Sequence, residues 1–183
     1  MSTLNQKANQ INCVISLKEE NIKRINERLQ TFLNTYPYSY AYILHDKDFN
    51  TNGECKTPHI HLVLFNGPRK RLSTYINEIS TFLSVRPFAI TLDKCISLEG
   101  SLQYLVHKND IEKYHYEVKD IVTNLTQSEL DIFLNAENGS LTFDRLFQII
   151  RHAKNKTEVI EKLGLSYYRI YRGIINDIWN DYK

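Results

Sequence analysis

Apolar and polar positions alternate with two distinct periods along the first two-thirds of the chain. Ile11 to Leu17 (INCVISL) is a short apolar run that reads as a strand. From Lys18 to Asn34, Ile22, Ile25, Leu29, Phe32 and Leu33 fall at helical spacing, which predicts an amphipathic helix. Tyr38 to Leu44 (YSYAYIL) alternates and is rich in aromatics, and His59 to Phe65 (HIHLVLF) is the strongest strand signal of all. The polar stretch between them, Asp46 to Thr57, carries an Asn52-Gly53 turn signal, so the two strands read as an antiparallel hairpin at the centre of a sheet. Gly67-Pro68 breaks the pattern. Leu72, Tyr75, Ile76, Ile79, Phe82 and Leu83 then give a second amphipathic helix, and Phe88 to Leu92 a short strand. A third helix spans Leu98 to His107, with Ser97 as its cap and Leu98, Leu102 and Leu105 on one face. Tyr116 to Val122 is expected to be a last short strand.

The order βαββαβαβ predicts an α+β fold, an antiparallel or mixed sheet with helices packed on it, rather than a doubly wound parallel sheet. After about Asn124 only helical patterns remain: Ser128 to Ala136, Phe143 to Ala153, Thr157 to Leu163 and Ser166 to Trp179, with a break at Asn138-Gly139-Ser140. This division predicts a domain over 1–124 and a small all-helical domain over 125–183.

Composition narrows the classes. The 183 residues are 42% apolar and 24% charged, enough for a sizeable core and unlike a disordered chain. Twenty-three Lys and Arg against 21 Asp and Glu leave a net charge of only +2, so a polybasic coat is excluded and any partner is found through local patches. No apolar stretch reaches the ~18 residues of a membrane span. The polar stretch Met1 to Gln10 has no apolar signal core, and Cys13, Cys55 and Cys95 form no CxxC pair. Together these read as a cytoplasmic protein with reduced thiols.

Three clusters carry candidate chemistry. His59-Ile60-His61 lies on a strand, so both imidazoles project from one face with Cα atoms about 6.5 Å apart. Two such imidazoles can chelate a divalent metal, or they can be half-exposed histidines and no more. His45-Asp46-Lys47-Asp48 begins where the preceding strand ends, and in a hairpin His45 lands beside His59 and His61. Asp48, or Asp46, can add a carboxylate, and the set suits Mn²⁺ or Mg²⁺. The plainer reading of this stretch is an Asp-rich turn. Tyr104 lies in LQYLVHK, where a continuous helix would put Tyr104, His107 and Lys108 on one face, away from the apolar stripe. That is a place for a nucleophile aided by cations, although most of the twelve tyrosines serve packing.

H-D-K-D, then P-H-I-H-L-V-L, then Y-L-V-H-K-N-D about forty residues on, together resemble the HUH endonucleases. More narrowly, residues 10–124 are similar to the rolling-circle plasmid replication initiators of the streptococcal RepB type. The resemblance implies an antiparallel HUH core of the ferredoxin/RRM type and a metal-dependent nickase of single-stranded DNA. It implies His59 and His61 as the HUH ligands, with His45 and Asp48 as third and fourth. It also implies Tyr104 as the nucleophile that becomes joined to a 5′-phosphate and leaves a 3′-OH primer. Its implied partners are plasmid origin DNA, as duplex and as single-stranded hairpin, and a host helicase and DNA polymerase. A relaxase, a transposase and a DNA-binding protein that does not cut are the alternative readings.

The segment from Thr157 to Arg172 has the rhythm of a helix-turn-helix, one helix ending at Gly164 and Ser166 capping the next. Arg169 and Arg172 are then candidate DNA contacts, alongside Lys108 and the run Arg69-Lys70-Arg71. The rival reading of the C-terminal helices is a bundle that makes homo-oligomers.

Overall fold

The computed structural model describes residues 3–17, 21–50, 52–135 and 143–182. Among these residues the strands are β1 (Lys7–Ala8), β2 (Ile11–Ser16), β3 (Ser39–His45), β4 (His59–Phe65), β5 (Lys70–Arg71), β6 (Ile90–Lys94) and β7 (Val122–Thr123). Its helices are α1 (Ile22–Thr35), α2 (Leu72–Leu83), α3 (Leu98–Leu105), α4 (Gln127–Leu134), α5 (Phe143–His152), α6 (Lys156–Leu163) and α7 (Leu165–Tyr182). Two compact units result. One comprises Met1–Ile96 with Ser101–Asn124, the other Ser97–Gly100 with Leu125–Lys183.

The first unit is an α+β fold around a five-stranded sheet in the order β6-β2-β4-β3-β7, antiparallel throughout. The predicted hairpin of β3 and β4 sits inside it, with His45 opposite His59. Alternation decides the two faces. Ile11, Cys13 and Ile15 of β2, Tyr40 and Tyr42 of β3 and Ile60, Leu62 and Leu64 of β4 are buried with Ile25, Leu29 and Phe32 of α1 and Tyr75 and Ile79 of α2. The intervening residues of β4, His59 and His61 among them, point to the opposite face. Asn124 closes the β3 edge, its side chain accepting from the Tyr40 N–H at 2.9 Å and donating to the Tyr38 carbonyl at 2.9 Å.

Several elements differ from the sequence expectation. A two-residue ribbon of β1 and β5 was not legible in the pattern. The strand expected over Phe88 to Leu92 is a single 3-10 turn, Pro87–Ala89, followed by β6. Pro87 fixes φ at the turn and delays the strand. The last strand shrinks to Val122–Thr123 behind a 3-10 turn at Val118–Asp120, closed by reciprocal Glu117 and Asp120 caps. The third helix stops at Leu105, so Tyr104, His107 and Lys108 do not share a helical face. His107 has φ +54°. Its N–H bonds the Tyr104 carbonyl and the Lys108 N–H bonds that of Gln103, the double closure of a Schellman ending. Ser97 does cap this helix, accepting from the Gly100 N–H at 3.0 Å.

The second unit is helical where described, and the Asn138-Gly139-Ser140 break lies outside the described residues. Ser166 is not a cap. It lies inside α7, and its N–H donates to the Glu129 carboxylate at 2.9 Å. The same carboxylate accepts from the Thr126 N–H, closing a capping box on α4. Gly164 is required between α6 and α7: its φ is +81°, and an added Cβ would lie 2.1 Å from Glu129 Cγ.

Candidate metal and tyrosine site

Four sequence-predicted residues converge at one end of the sheet. His45 ends β3, His59 and His61 begin β4, and Asp48 lies in the loop that joins the strands. That loop is held by the Lys56 N–H on the Asp48 carbonyl at 2.8 Å and turns at Gly53, φ +80°. The His45 ring centroid lies 5.5 Å from that of His59 and 4.5 Å from that of His61. Asp48 Oδ2 is 3.5 Å from His45 Nδ1 and 3.7 Å from His59 Nε2. Asp48 is 4% exposed, whereas Asp46 is open to solvent.

The hydrogen bonds fix which ring nitrogen carries a proton. His45 Nε2 donates to the Leu105 carbonyl at 2.7 Å and His59 Nδ1 to the Thr57 carbonyl at 2.9 Å. A carbonyl can only accept, so in the neutral His45 imidazole Nδ1 keeps a lone pair aimed toward the Asp48 carboxylate. Lone pair facing lone pair in a buried place repels unless a cation stands between them. Burial drives the His45 imidazole down to about 4 and the His61 imidazole to about 3, so both remain neutral at physiological pH.

His107 joins this group, and the sequence reading missed it as a site residue. Its Nδ1 donates to the Tyr114 carbonyl at 2.8 Å, and its ring lies 4.4 Å from that of His45. His45 Nδ1 and His107 Nε2 are buried nitrogens with no hydrogen-bond partner among the described residues. Two overlapping triads can hold an ion, His45-His59-His61 and His45-Asp48-His107. Four imidazoles and a carboxylate, two of the ring nitrogens buried and orphaned, fit a divalent metal of the first transition row. The signal for His107 was the turn-forming Lys108-Asn109-Asp110 that follows it, which ends the helix and frees His107 to turn inward.

Tyr116 was expected to open a last short strand. Instead its ring stacks on His45 at 4.4 Å with a 6° interplanar angle. Its hydroxyl donates to Asp48 Oδ1 at 3.2 Å and accepts from the Lys47 N–H at 2.9 Å. Burial, against the pull of the Lys47 N–H, raises its pKa well above the ordinary phenol value. Tyr104 is different. It is 41% exposed, with its ring 5.3 Å from His61 and 5.1 Å from His107. Lys113 donates to its hydroxyl at 2.9 Å, the place the sequence suggested for Lys108. Burial works against the Lys113 charge, but the hydrogen bonds to Asp110 and Tyr104 outweigh it and hold the ammonium protonated.

The predicted basic residues are dispersed. Lys70 bonds both oxygens of Glu78 at 2.7 and 2.8 Å and lies over the rings of Tyr36, Tyr38 and Tyr75. Arg71 is exposed at the start of α2 and pairs with Lys7 across the β1–β5 ribbon. Arg69 lines a cavity of about 350 Å³ with Lys7, Asn9 and Lys94. Lys108 is exposed beside the site, and Arg169 and Arg172 are exposed on α7.

Residues 4–131 match the family described as plasmid replication protein, origin binding domain. Among curated proteins, the chain is 28% identical over 130 residues to a replication protein of Onion yellows phytoplasma (strain OY-M), covering 58% of this chain and 31% of that protein. It is 41% identical over 80 residues to the replication protein RepB of Lactiplantibacillus plantarum, covering 44% and 34% respectively. The matches thus span about a third of the length of these relatives. The family match covers more than half of the chain and includes every residue of the histidine, aspartate and tyrosine site, so the chain belongs to the plasmid replication proteins with an origin-binding domain.

Proposed function

We propose that the chain initiates rolling-circle plasmid replication by cutting and rejoining one strand of its origin. The observation that carries this reading is the exposed Tyr104 ring packed against His61 and His107, at the rim of a cluster with two unpartnered buried imidazole nitrogens. His45, Asp48, His59 and His61 would hold Mn²⁺ or Mg²⁺, with His107 completing the donor set. Such an ion, when bound, neutralises charge on the scissile phosphate. Tyr104 Oη attacks phosphorus, the P–O3′ bond breaks, and a 5′-phosphotyrosine and a 3′-OH result. The link conserves the energy of the phosphodiester, so the cut can be rejoined. Tyr116 is unsuited to this role because its hydroxyl is engaged by Asp48 and Lys47.

In this reading residues 1–124 bind the origin and cut. Residues 125–183 assemble homo-oligomers or read duplex DNA, and helicase and polymerase take over at the 3′-OH. The half-exposed Leu165 and Ile174 of α7 support assembly. Lys7, Arg69 and Lys94, none of them in an ion pair among the described residues, line one cavity and support phosphate contacts by the first unit.

The test is incubation with Mn²⁺ and labelled hairpin oligonucleotides from candidate origins, followed by peptide mapping. The expected result is a covalent band that maps to Tyr104 and disappears in Tyr104→Phe, which keeps the ring and, at an exposed site, changes stability by less than about 0.5 kcal/mol. An adduct on another residue, or hydrolysis without an adduct, refutes the assignment.

A further inference from the structure

Lys113 lies nine residues beyond Tyr104, past the end of α3, yet its ammonium meets the tyrosine oxygen at 2.9 Å and stands 4.5 Å from the ring centroid. The loop that carries it there is built in steps. His107 adopts φ +54° and ends the helix. Its carbonyl accepts the Asp110 N–H at 3.0 Å, and the Asp110 carbonyl accepts the Lys113 N–H at 3.2 Å. The Asp110 carboxylate then grips the ammonium at 2.6 Å. The His115 ring bonds the Asp110 carbonyl at 3.1 Å, and Tyr116 anchors the far end of the loop on Asp48. The Lys113 side chain is 28% exposed, so its charge is only partly screened by water.

We propose that Lys113 is a catalytic residue that holds the Tyr104 oxygen for in-line attack and carries its negative charge in both directions of strand transfer. The inference rests on the reading of Tyr104 as nucleophile. In cutting, the Tyr104 Oη–P bond forms and the phenol proton passes to water. The P–O3′ bond breaks, and O3′ takes a proton from water to become the free hydroxyl. In rejoining, the 3′-hydroxyl gives its proton to water as its oxygen attacks phosphorus, the P–Oη bond breaks with its electron pair returning to the tyrosine oxygen, and that oxygen takes a proton from water. In each direction charge on that oxygen rises or falls through the transition state, and a charge-assisted donor already aimed at it needs no reorganisation. Asp110 is a positioning residue: it touches Lys113 and holds the ammonium on that line.

The test compares full-length wild type, Lys113→Met and Lys113→Arg on one cleavable hairpin oligonucleotide with Mn²⁺, in single turnover. Lys113→Met is expected to slow adduct formation and rejoining by about 10- to 100-fold, with oligonucleotide affinity little changed, and Lys113→Arg to recover most of the loss. Replacing Tyr104 by 3,5-difluorotyrosine, a better-stabilised phenolate, is expected to speed the Lys113→Met protein more than the wild type. A merely structural lysine would not produce that difference. In the metal-free protein, the ¹³Cζ resonance of Tyr104 is expected to move on Lys113→Met, because the donor at its oxygen is gone. A normal Tyr104 adduct formed at the same rate in Lys113→Met, a loss confined to affinity, or an equal fluorotyrosine effect in both backgrounds overturns this inference alone. Absence of a Tyr104 adduct in the wild type overturns the nucleophile reading and this inference together.

Discussion

Tyr116→Phe separates the carboxylate's support from the carboxylate itself. The substitution keeps the ring, and so the 4.4 Å stack on His45, and removes only the hydroxyl. That hydroxyl holds Asp48 Oδ1, which leaves Oδ2 turned toward His45 and His59 at 3.5 and 3.7 Å. Without it the buried carboxylate loses its one hydrogen-bonded restraint among the described side chains, and the Lys47 N–H loses its acceptor. A hydrogen bond to a buried charge contributes about 1.5–3 kcal/mol, and its removal leaves the charge partly unsatisfied. The metal-free chain should therefore lose about 1–3 kcal/mol in urea unfolding. Mn²⁺ affinity, measured by titration calorimetry, should drop about 10- to 100-fold, the usual cost of removing a group that orients a metal ligand. In an Asp48→Ala background the same change should cost little, since the group it supports is gone. Unchanged Mn²⁺ affinity in the single variant, or an equal loss in both backgrounds, would refute the claim that Tyr116 acts through Asp48.

Two further outcomes follow from charge. The folded chain keeps His45 and His61 neutral down to about 4 and about 3, whereas the unfolded chain protonates them near the ordinary imidazole value of about 6.5. Between these limits the unfolded state binds more protons, so metal-free stability should fall as pH drops from about 6.5 toward 4 and be flat just above that range. A urea series that is level from neutral pH to about pH 5, or one whose slope survives in the His45→Gln, His61→Gln double variant, would contradict this. Arg69 carries the other outcome. Arg69→Ala should weaken origin binding and reduce the slope of log affinity against log salt by about 0.9, one phosphate contact, and leave cutting of short single strands unaffected. An unchanged slope would remove Arg69 from the DNA interface.

The sheet was legible because its strands are amphipathic in the simplest way. In β4, Ile60, Leu62 and Leu64 enter the core while His59 and His61 face the other side, so a period of two reads out both pairing and face. The β3–β4 register followed from the same pattern, and with it the approach of His45 to His59. What failed were the short elements. A ribbon of two residue pairs and a strand of two residues carry too few positions to show any period, and they exist because neighbouring backbone offers them partners. The end of α3 failed for a related reason. Val106 and His107 continue the apolar and polar rhythm of the helix, but the chain has already turned at a left-handed residue that is not glycine.

That single turn explains why half of the candidate site was invisible. Extended as a helix, the segment would place Lys108 beside Tyr104 on an outer face. Turned at His107, it buries that imidazole against His45 and lets the following loop fold back as far as Tyr114, whose carbonyl His107 bonds. Tyr116 then reaches Asp48, and Lys113 reaches Tyr104. None of these pairings has a fixed sequence spacing, because each depends on where a loop closes rather than on a helical or strand period. The candidate ligands on regular strands announced themselves, and the loop groups that pack beside them did not. The cost of a left-handed non-glycine residue is of order 1–3 kcal/mol and persists only where surrounding contacts overdetermine it. Here the Schellman closure, the bond from His107 Nδ1 to Tyr114 and the packing on His45 supply those contacts. His107→Gly would relieve the backbone but lose the imidazole, and with it the bond to Tyr114 and the packing on His45 that hold the turn.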